Sequence, residues 1–325
     1  MRVPMRTKAT RCLVVLVMAG AGLGLATSSA SAAPVSINLC AKAGTVTMPG
    51  AVSVPIWGFG TPTTPGDCAT ATAGIPGPVL SVTEGDTVTI SVTNALPAGH
   101  TLSFEIPGVD FNTGPTDAAV GATVTRTFTA SRPGTYLYQS GGNAGRQAAM
   151  GLYGALIVRP TTANQAYDSA TTAYAVESLL VLGAVDPNFN AAPDTFDMHT
   201  YSATYWLING KAYPDTTPIT ASAGQRVLLR YLNAGFDNTT MMLLGMHEQV
   251  VARDARLLNN PLSADAETIP AGATEDAIAT VPAGSPPSTH GFPLYNRQLH
   301  MTNGSQTGPS PSPGTGGGML TFIQP

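Results

Sequence analysis

Beyond residue 32, polar and apolar positions alternate with a period of two in short runs between Gly and Pro turns. The stretch 78–95, Pro-Val-Leu-Ser-Val-Thr-Glu-Gly-Asp-Thr-Val-Thr-Ile-Ser-Val-Thr-Asn-Ala, alternates on both sides of Gly85. The stretch 218–234 does the same around Gly224. Such alternation puts every second side chain on one face, so each stretch predicts a strand, a turn and a strand. The two stretches match at an offset of 139, Gly85 with Gly224, Val88 with Val227, Ile90 with Leu229 and Asn94 with Asn233. Two later pairs keep the order: Gly121-Ala122-Thr123 with Gly272-Ala273-Thr274, and the apolar run 154–158 with 318–323. Three matches in one order predict two copies of one domain, each long enough for a core of its own.

No stretch carries a convincing helical period. The expected architecture is all-β, with two tandem Greek-key sandwiches. The first domain is expected over 33–160, closed by Arg159-Pro160, a linker over 161–172, and the second domain over 173–325, with Glu177–Val185 as its first strand. Residues 186–204 read as a long loop, and the Gly/Ser/Pro-rich 304–317 as a flexible loop before the last strand.

The first 32 residues read as a cleaved signal peptide. Arg2, Arg6, Lys8 and Arg11 form a basic start, Leu13–Ala26 an apolar run, and Ala30-Ser31-Ala32 a cleavage site. The expected location is therefore extracellular or in the cell envelope, with no membrane association after cleavage. Cys12 lies at the start of the apolar run and not at the cleavage point, which argues against a lipoprotein anchor. Eleven basic and nineteen acidic residues beyond residue 32 give a net charge of −8 with no basic stripe, so nucleic acid is not an expected partner. Cys40 and Cys68 remain after processing, and in an oxidising compartment they are expected to form one disulfide.

Four segments resemble the multicopper oxidase family: Gly134-Thr135-Tyr136-Leu137-Tyr138, the run 150–158 from Met150 to Val158, the run 206–214 from Trp206 to Pro214, and the run 226–235 from Arg226 to Gly235. These are scaffold motifs of a two-domain, laccase-like, plastocyanin-like cupredoxin protein, and they carry fold rather than activity. The family's chemistry needs about ten His and one Cys thiolate around four coppers. Here the ligand motifs are missing. The pair expected after Tyr138 has become Gln139 and Gly141, and the first pair would fall in 101–108, which holds no His in register. The third motif maps onto 239–245 and also lacks His; in the last, Arg297 stands about where the thiolate belongs. The chain has five His in all, too few for the cluster wherever they lie.

Candidate residues remain. Met241, Met242, Met246 and His247 form one soft group; His300, Met301 and Met319 form another. The resemblance places the two stretches side by side, so His247 and His300 with Met242, Met246 and Met301 are the candidate ligands for one copper ion, against a reading as core-filling Met and turn His. Gln139, Arg146, Gln147 and Met150 mark where the oxygen-reducing site would open, as a small polar pocket or as collapsed packing. Glu105 is expected to point outward into solvent; were it inward, Arg146 is a candidate partner. Arg226 and Arg230 share a strand face, exposed or between the domains. His100, His199 and His290 read as solvated turn residues. The expected function is a non-oxidase binding or interaction module with a protein or small-molecule partner, with room for a homo-oligomer such as a trimer. The alternative is a copper-dependent oxidase acting on small organic donors through a reduced His/Met site.

Overall fold

The structure, a computed structural model, describes residues 33–111, 117–304 and 317–325. The proposed signal peptide and nearly all of the Gly/Ser/Pro-rich loop lie outside the described residues. The chain is all-β: β1 (Pro34–Met48), β2 (Val52–Gly60), β3 (Leu80–Thr83), β4 (Thr87–Ala95), β5 (Leu102–Glu105), β6 (Asp117–Ala118), β7 (Thr123–Thr129), β8 (Gly134–Ser140) and β9 (Tyr153–Arg159) come first. β10 (Val176–Val185), β11 (Tyr205–Ile208), β12 (Ile219–Thr220), β13 (Arg226–Asn233), β14 (Thr239–Leu243), β15 (Glu248–Arg253), β16 (Arg256–Ala264), β17 (Ala266–Ile269), β18 (Thr274–Thr280), β19 (Phe292–Asn296) and β20 (Leu320–Gln324) follow. The α-helices of the described residues are short, α1 (Arg146–Ala149) and α2 (Pro187–Ala191). None is long and apolar enough to cross a membrane.

The repeat seen in the sequence is a repeat of topology. The first half pairs β2-β1-β4-β7 against β3-β9-β8-β5-β6. The second pairs β11-β10-β13-β18 against β12-β20-β19-β14-β17 in the same relative order, with the hairpin β15–β16 added beyond β18. The paired asparagines explain why the repeat is written as it is. Asn94 is fully buried; its amide donates to the carbonyls of His100 and Ala118, and its oxygen accepts from Leu96 N–H. Asn233 donates to the carbonyls of Asp237 and Ile269 and accepts from Gly235 N–H. Each closes a strand end by supplying partners for backbone groups that would otherwise be buried unpaired.

Each half has a core between its two sheets, around Phe59, Phe104, Phe128 and Tyr138 in one and Tyr231, Leu243, Phe292 and Ile323 in the other. Apolar clusters also span the halves: Ile56 and Ile75 with Val185 and Leu207, and Leu137 and Tyr153 with Val181 and Leu232. Residues 161–172, expected as a linker, are packed: Ala166 and Tyr167 are buried against Leu228, Val251 and Ile278. Within 186–204, expected as loop, Asp186 caps α2 by accepting from Asn188 N–H, with Pro187 at the first helical position. Cys40 and Cys68 are joined by a disulfide, Cα atoms 5.5 Å apart.

Candidate functional site

β8 ends where the missing second ligand pair belongs. In the β5–β8 register Glu105 lies opposite Gln139, and Gln139 Nε2 donates to Glu105 Oε1 over 2.8 Å. Glu105 points away from the core face of Phe104, as expected, but is half-buried rather than solvated, with Gln139 against it. Arg146 is not its partner; it donates to the carbonyls of Pro193 (2.7 Å) and Phe196 (3.1 Å). A Cβ at Gly141 would lie 2.8 Å from Glu105 Oε1, so a side chain there must displace the carboxylate.

Next to it, Ser140 Oγ donates to Gln147 Oε1 (2.6 Å), and Gln147 Nε2 donates to the Thr101 carbonyl (2.9 Å). Gln147 is 1% exposed, with both ends of its amide engaged. Met150 packs into the first core. Of the two readings for the vacated end, collapsed packing holds at Gln147 and Met150. A cleft of about 480 Å³ opens beside them, lined by His100, Thr101, Asn143, Gln147 and Asp194. His100 is not a solvated turn residue. Its carbonyl is held by Asn94, its ring lies 4.4 Å from that of Trp57, and its Nε2 is 3.4 Å from Asp194 Oδ2. His199 is solvated, paired with Asp197; His290 is exposed beside Phe322.

In the second half, the candidate copper ligands lie on β14, on the turn after it and on the segment after β19. Met241 pairs with Asn296 and Leu243 with Leu294, so His300, which follows Asn296, lies near the start of β14, while His247 follows its end. His247 is largely exposed and paired with Asp265. The His300 ring stacks on Trp206 at 3.5 Å, and burial holds its imidazole below the ordinary His range. Met241, Met246 and Met319 are buried in the second core. Met242 accepts from the Tyr295 hydroxyl at 3.2 Å, and Met301 is half-buried with its carbonyl bound to Gly317 N–H. Of the expected copper ligands His247, His300, Met242, Met246 and Met301, Met246 fills the second core, His247 pairs with Asp265, and His300 stacks on Trp206.

The residues do not fit the family's copper set. Cys40 and Cys68 are consumed in the disulfide, so neither offers a thiolate. Among the described residues no three His, Cys, Asp or Glu side chains converge on one point. The positions expected to supply imidazole at β8 carry an amide and a glycine.

Sequence reasoning missed a buried polar network between the halves. Arg230 is fully buried; its Nε donates to Glu177 Oε1 (2.6 Å) and its Nη1 to Thr135 Oγ1 (3.1 Å) and Asp276 Oδ2 (3.2 Å). Asp276 also accepts from Thr135 Oγ1 (2.6 Å) and Tyr167 (2.5 Å), and Thr274 donates to the Thr135 carbonyl. Charge pairing by Arg159 and Arg230 holds the Glu177 carboxyl below its ordinary value despite burial. The spacing of Arg226 and Arg230 pointed to this face, but nothing local named their partners. Arg226 itself reaches the Thr171 carbonyl instead.

The comparisons with known proteins agree on the scaffold. A family model described as multicopper oxidase matches residues 61–163. A laccase from Oryza sativa subsp. japonica is 27% identical over 228 residues, 64% of this chain and 39% of that protein. A copper-containing nitrite reductase from Alcaligenes xylosoxydans xylosoxydans is 27% identical over 248 residues, 68% of this chain and 73% of that one. The chain therefore spans about two-fifths of the plant laccase and about three-quarters of the nitrite reductase. Among solved structures, a blue copper oxidase from Nitrosomonas europaea superposes with a TM-score of 0.72 at 22% identity, covering 89% of this chain and 85% of that one. A copper nitrite reductase from the same organism gives 0.65 at 20% identity, covering 90% and 94%. Sheet order, scaffold motifs and relatives together identify the chain as a multicopper oxidase-like cupredoxin protein.

Proposed function

We propose that this protein works outside the cell or in its envelope as a binding module on an oxidase scaffold, and does not carry electrons to dioxygen. One observation carries the reading. The end of β8 is filled by Gln139–Glu105 and Ser140–Gln147–Thr101 hydrogen bonds, with side chains that satisfy one another. Converting that end into a ligand set would require breaking buried hydrogen bonds, each worth about 1 kcal/mol net and more when a partner is left unpaired. The four-electron route also needs a thiolate electron acceptor and a His cluster, which these residues do not supply. The leader-like first 32 residues and the disulfide support an oxidising location.

The test is copper content after loading and desalting the protein purified without its first 32 residues, with oxygen uptake measured on a phenolic donor. Sub-stoichiometric copper and no uptake are expected. About one copper per chain, with uptake abolished by His→Ala changes at His100, His247 or His300, would overturn the reading in favour of a copper-dependent oxidoreductase.

A further inference from the structure

Most cationic side chains among the described residues are engaged. Arg159, Arg230 and Arg253 meet carboxylates, while Lys42, Arg146 and Arg226 meet backbone carbonyls. The Arg132 and Arg256 guanidiniums have no hydrogen-bond or ion-pair partner among the described residues, and both line one cleft of about 430 Å³. Arg132 comes from the first half and Arg256 from the second. Tyr136 lines the same cleft.

Asp254, which lines the cleft, and Asp276 each hold hydrogen-bond partners. Asp254 accepts from Thr274 N–H through Oδ1 (3.0 Å). Asp276 serves Arg230, Thr135 and Tyr167. Burial and the neighbouring Asp168 push the Glu84 carboxyl above its ordinary value. The hydroxyls are committed too: Tyr136 donates to the Arg132 carbonyl (2.9 Å) and Thr274 to the Thr135 carbonyl (2.8 Å).

The cleft is held in shape from both sides. Arg256 directly follows the two-residue turn Asp254-Ala255, whose φ values are +47° and +55°. An alanine there costs of order 1–2 kcal/mol and persists only where packing fixes it. Ala255 is 2% exposed and belongs to the core of the first half, against Gly134. The hairpin is therefore plugged into the other half, and Arg256 follows the plug on the cleft that Arg132 also lines. Two guanidiniums from different halves, on the walls of one cleft in an acidic protein, form a site for an anion with paired oxygens.

We propose that the cleft between the halves binds a small oxyanion or carboxylate through Arg132 and Arg256. The site shares no residue with the vacated copper positions, so it stands whether or not those positions take a metal.

The test is calorimetric titration of the disulfide-intact protein with sodium sulfate and, separately, disodium succinate, at low ionic strength with sodium chloride as control. Saturable binding is expected at millimolar or tighter Kd. Arg132→Gln and Arg256→Gln are each expected to weaken it about tenfold or more, as befits a charge-assisted contact. Lys211→Gln, which changes a cation outside the cleft, should leave the affinity unchanged. Sulfate binding without succinate binding points to an inorganic oxyanion, and the reverse to a carboxylate ligand. Near-UV circular dichroism and the melting temperature of each variant confirm that it is folded. Wild-type protein that saturates with neither anion, or folded Arg variants that bind as tightly as wild type, would overturn the proposal, and neither result bears on copper content or oxygen uptake.

Discussion

Arg230 is the residue on which the contact between the halves is most exposed to change. It is the largest fully buried side chain among the described residues, and its charge is met by Glu177 and Asp276. One nitrogen, Nη2, is buried with no hydrogen-bond partner, so the pairing is already incomplete. A buried pair of this kind gives little net stability, but removing one partner strands the other charge at about 3–5 kcal/mol. Arg230→Met is therefore expected to lower unfolding stability by roughly that amount. Adding Asp276→Asn and Glu177→Gln should restore part of it, since the stranded charges then vanish. Urea unfolding of the single and triple variants measures both, and a single-variant loss below about 1 kcal/mol would show that the network is not a buried charge cluster. Sequence alone took Arg230 as far as a shared face with Arg226. Its partners lie 53 and 46 residues away, and only the folded arrangement of β10, β13 and β18 names them.

Among the elements, the hairpin β15–β16 has no counterpart among the described residues of the first half, and it makes the difference between two similar sandwiches and one joined body. The offset of 139 found β4 and β13 because both carry the same Asn duty, but a segment without a repeat partner leaves no such signal. β16 also lacks the alternation of a half-buried strand: Leu257 and Leu262 are exposed, and Pro261 marks it as an edge. The plug predicts a sharp effect at Gly134, whose φ is +145° and where a Cβ would lie 2.5 Å from Ala255 Cβ. Gly134→Ala should cost about 2–4 kcal/mol through backbone strain and overpacking, read as a shift in the urea midpoint. A second effect belongs to β15 and β18. Burial pushes the Glu248 carboxyl up to about 7, and burial with Glu267 pushes Glu275 to about 8 even beside Arg253. Glu248 accepts from the Tyr231 hydroxyl (2.8 Å), while its Oε1 has no partner. Both groups hold protons in the folded protein that the unfolded chain has lost above its ordinary carboxylate range. Their stabilisation is therefore full below about pH 4.5 and is lost as the pH rises through 7 and 8. Glu248→Gln should flatten that decline and gain on the order of 2–3 kcal/mol relative to wild type at pH 8.5, with little difference at pH 4.5. Equal slopes for the two proteins would dismiss the assignment.

For the molecule as a whole, the scaffold was legible and the site was not, for one physical reason. Alternation, Gly turns and a repeated Asn are local requirements of strands and their ends, so they are written where they act. A vacated ligand position is defined by what has moved into it, and Glu105 against Gln139, or Gln147 against Ser140 and Thr101, meet only across strands and turns. The same division holds for the disulfide. Cysteine count and compartment suggested it, while the structure shows what it ties: Cys40 in β1 to the loop after β2, at a sequence separation of 28. That loop is held independently by Lys42, which donates to the carbonyls of Cys68 (2.7 Å) and Ala71 (3.0 Å), and by Gly74 N–H bonded to the Phe59 carbonyl. Because these contacts do not involve the sulfurs, the bond is expected to act mainly on the unfolded chain, whose freedom it cuts by about 3–4 kcal/mol for a loop of this length. Replacing both cysteines by serine should lower the unfolding free energy by about that much, leave far-UV circular dichroism unchanged, and remove any further effect of reductant. The anion cleft has no residue in common with the loop, so sulfate affinity should be the same in the serine variant. A large loss of β signal in the folded variant would mean that the bond shapes the native loop, and the entropic account would fail.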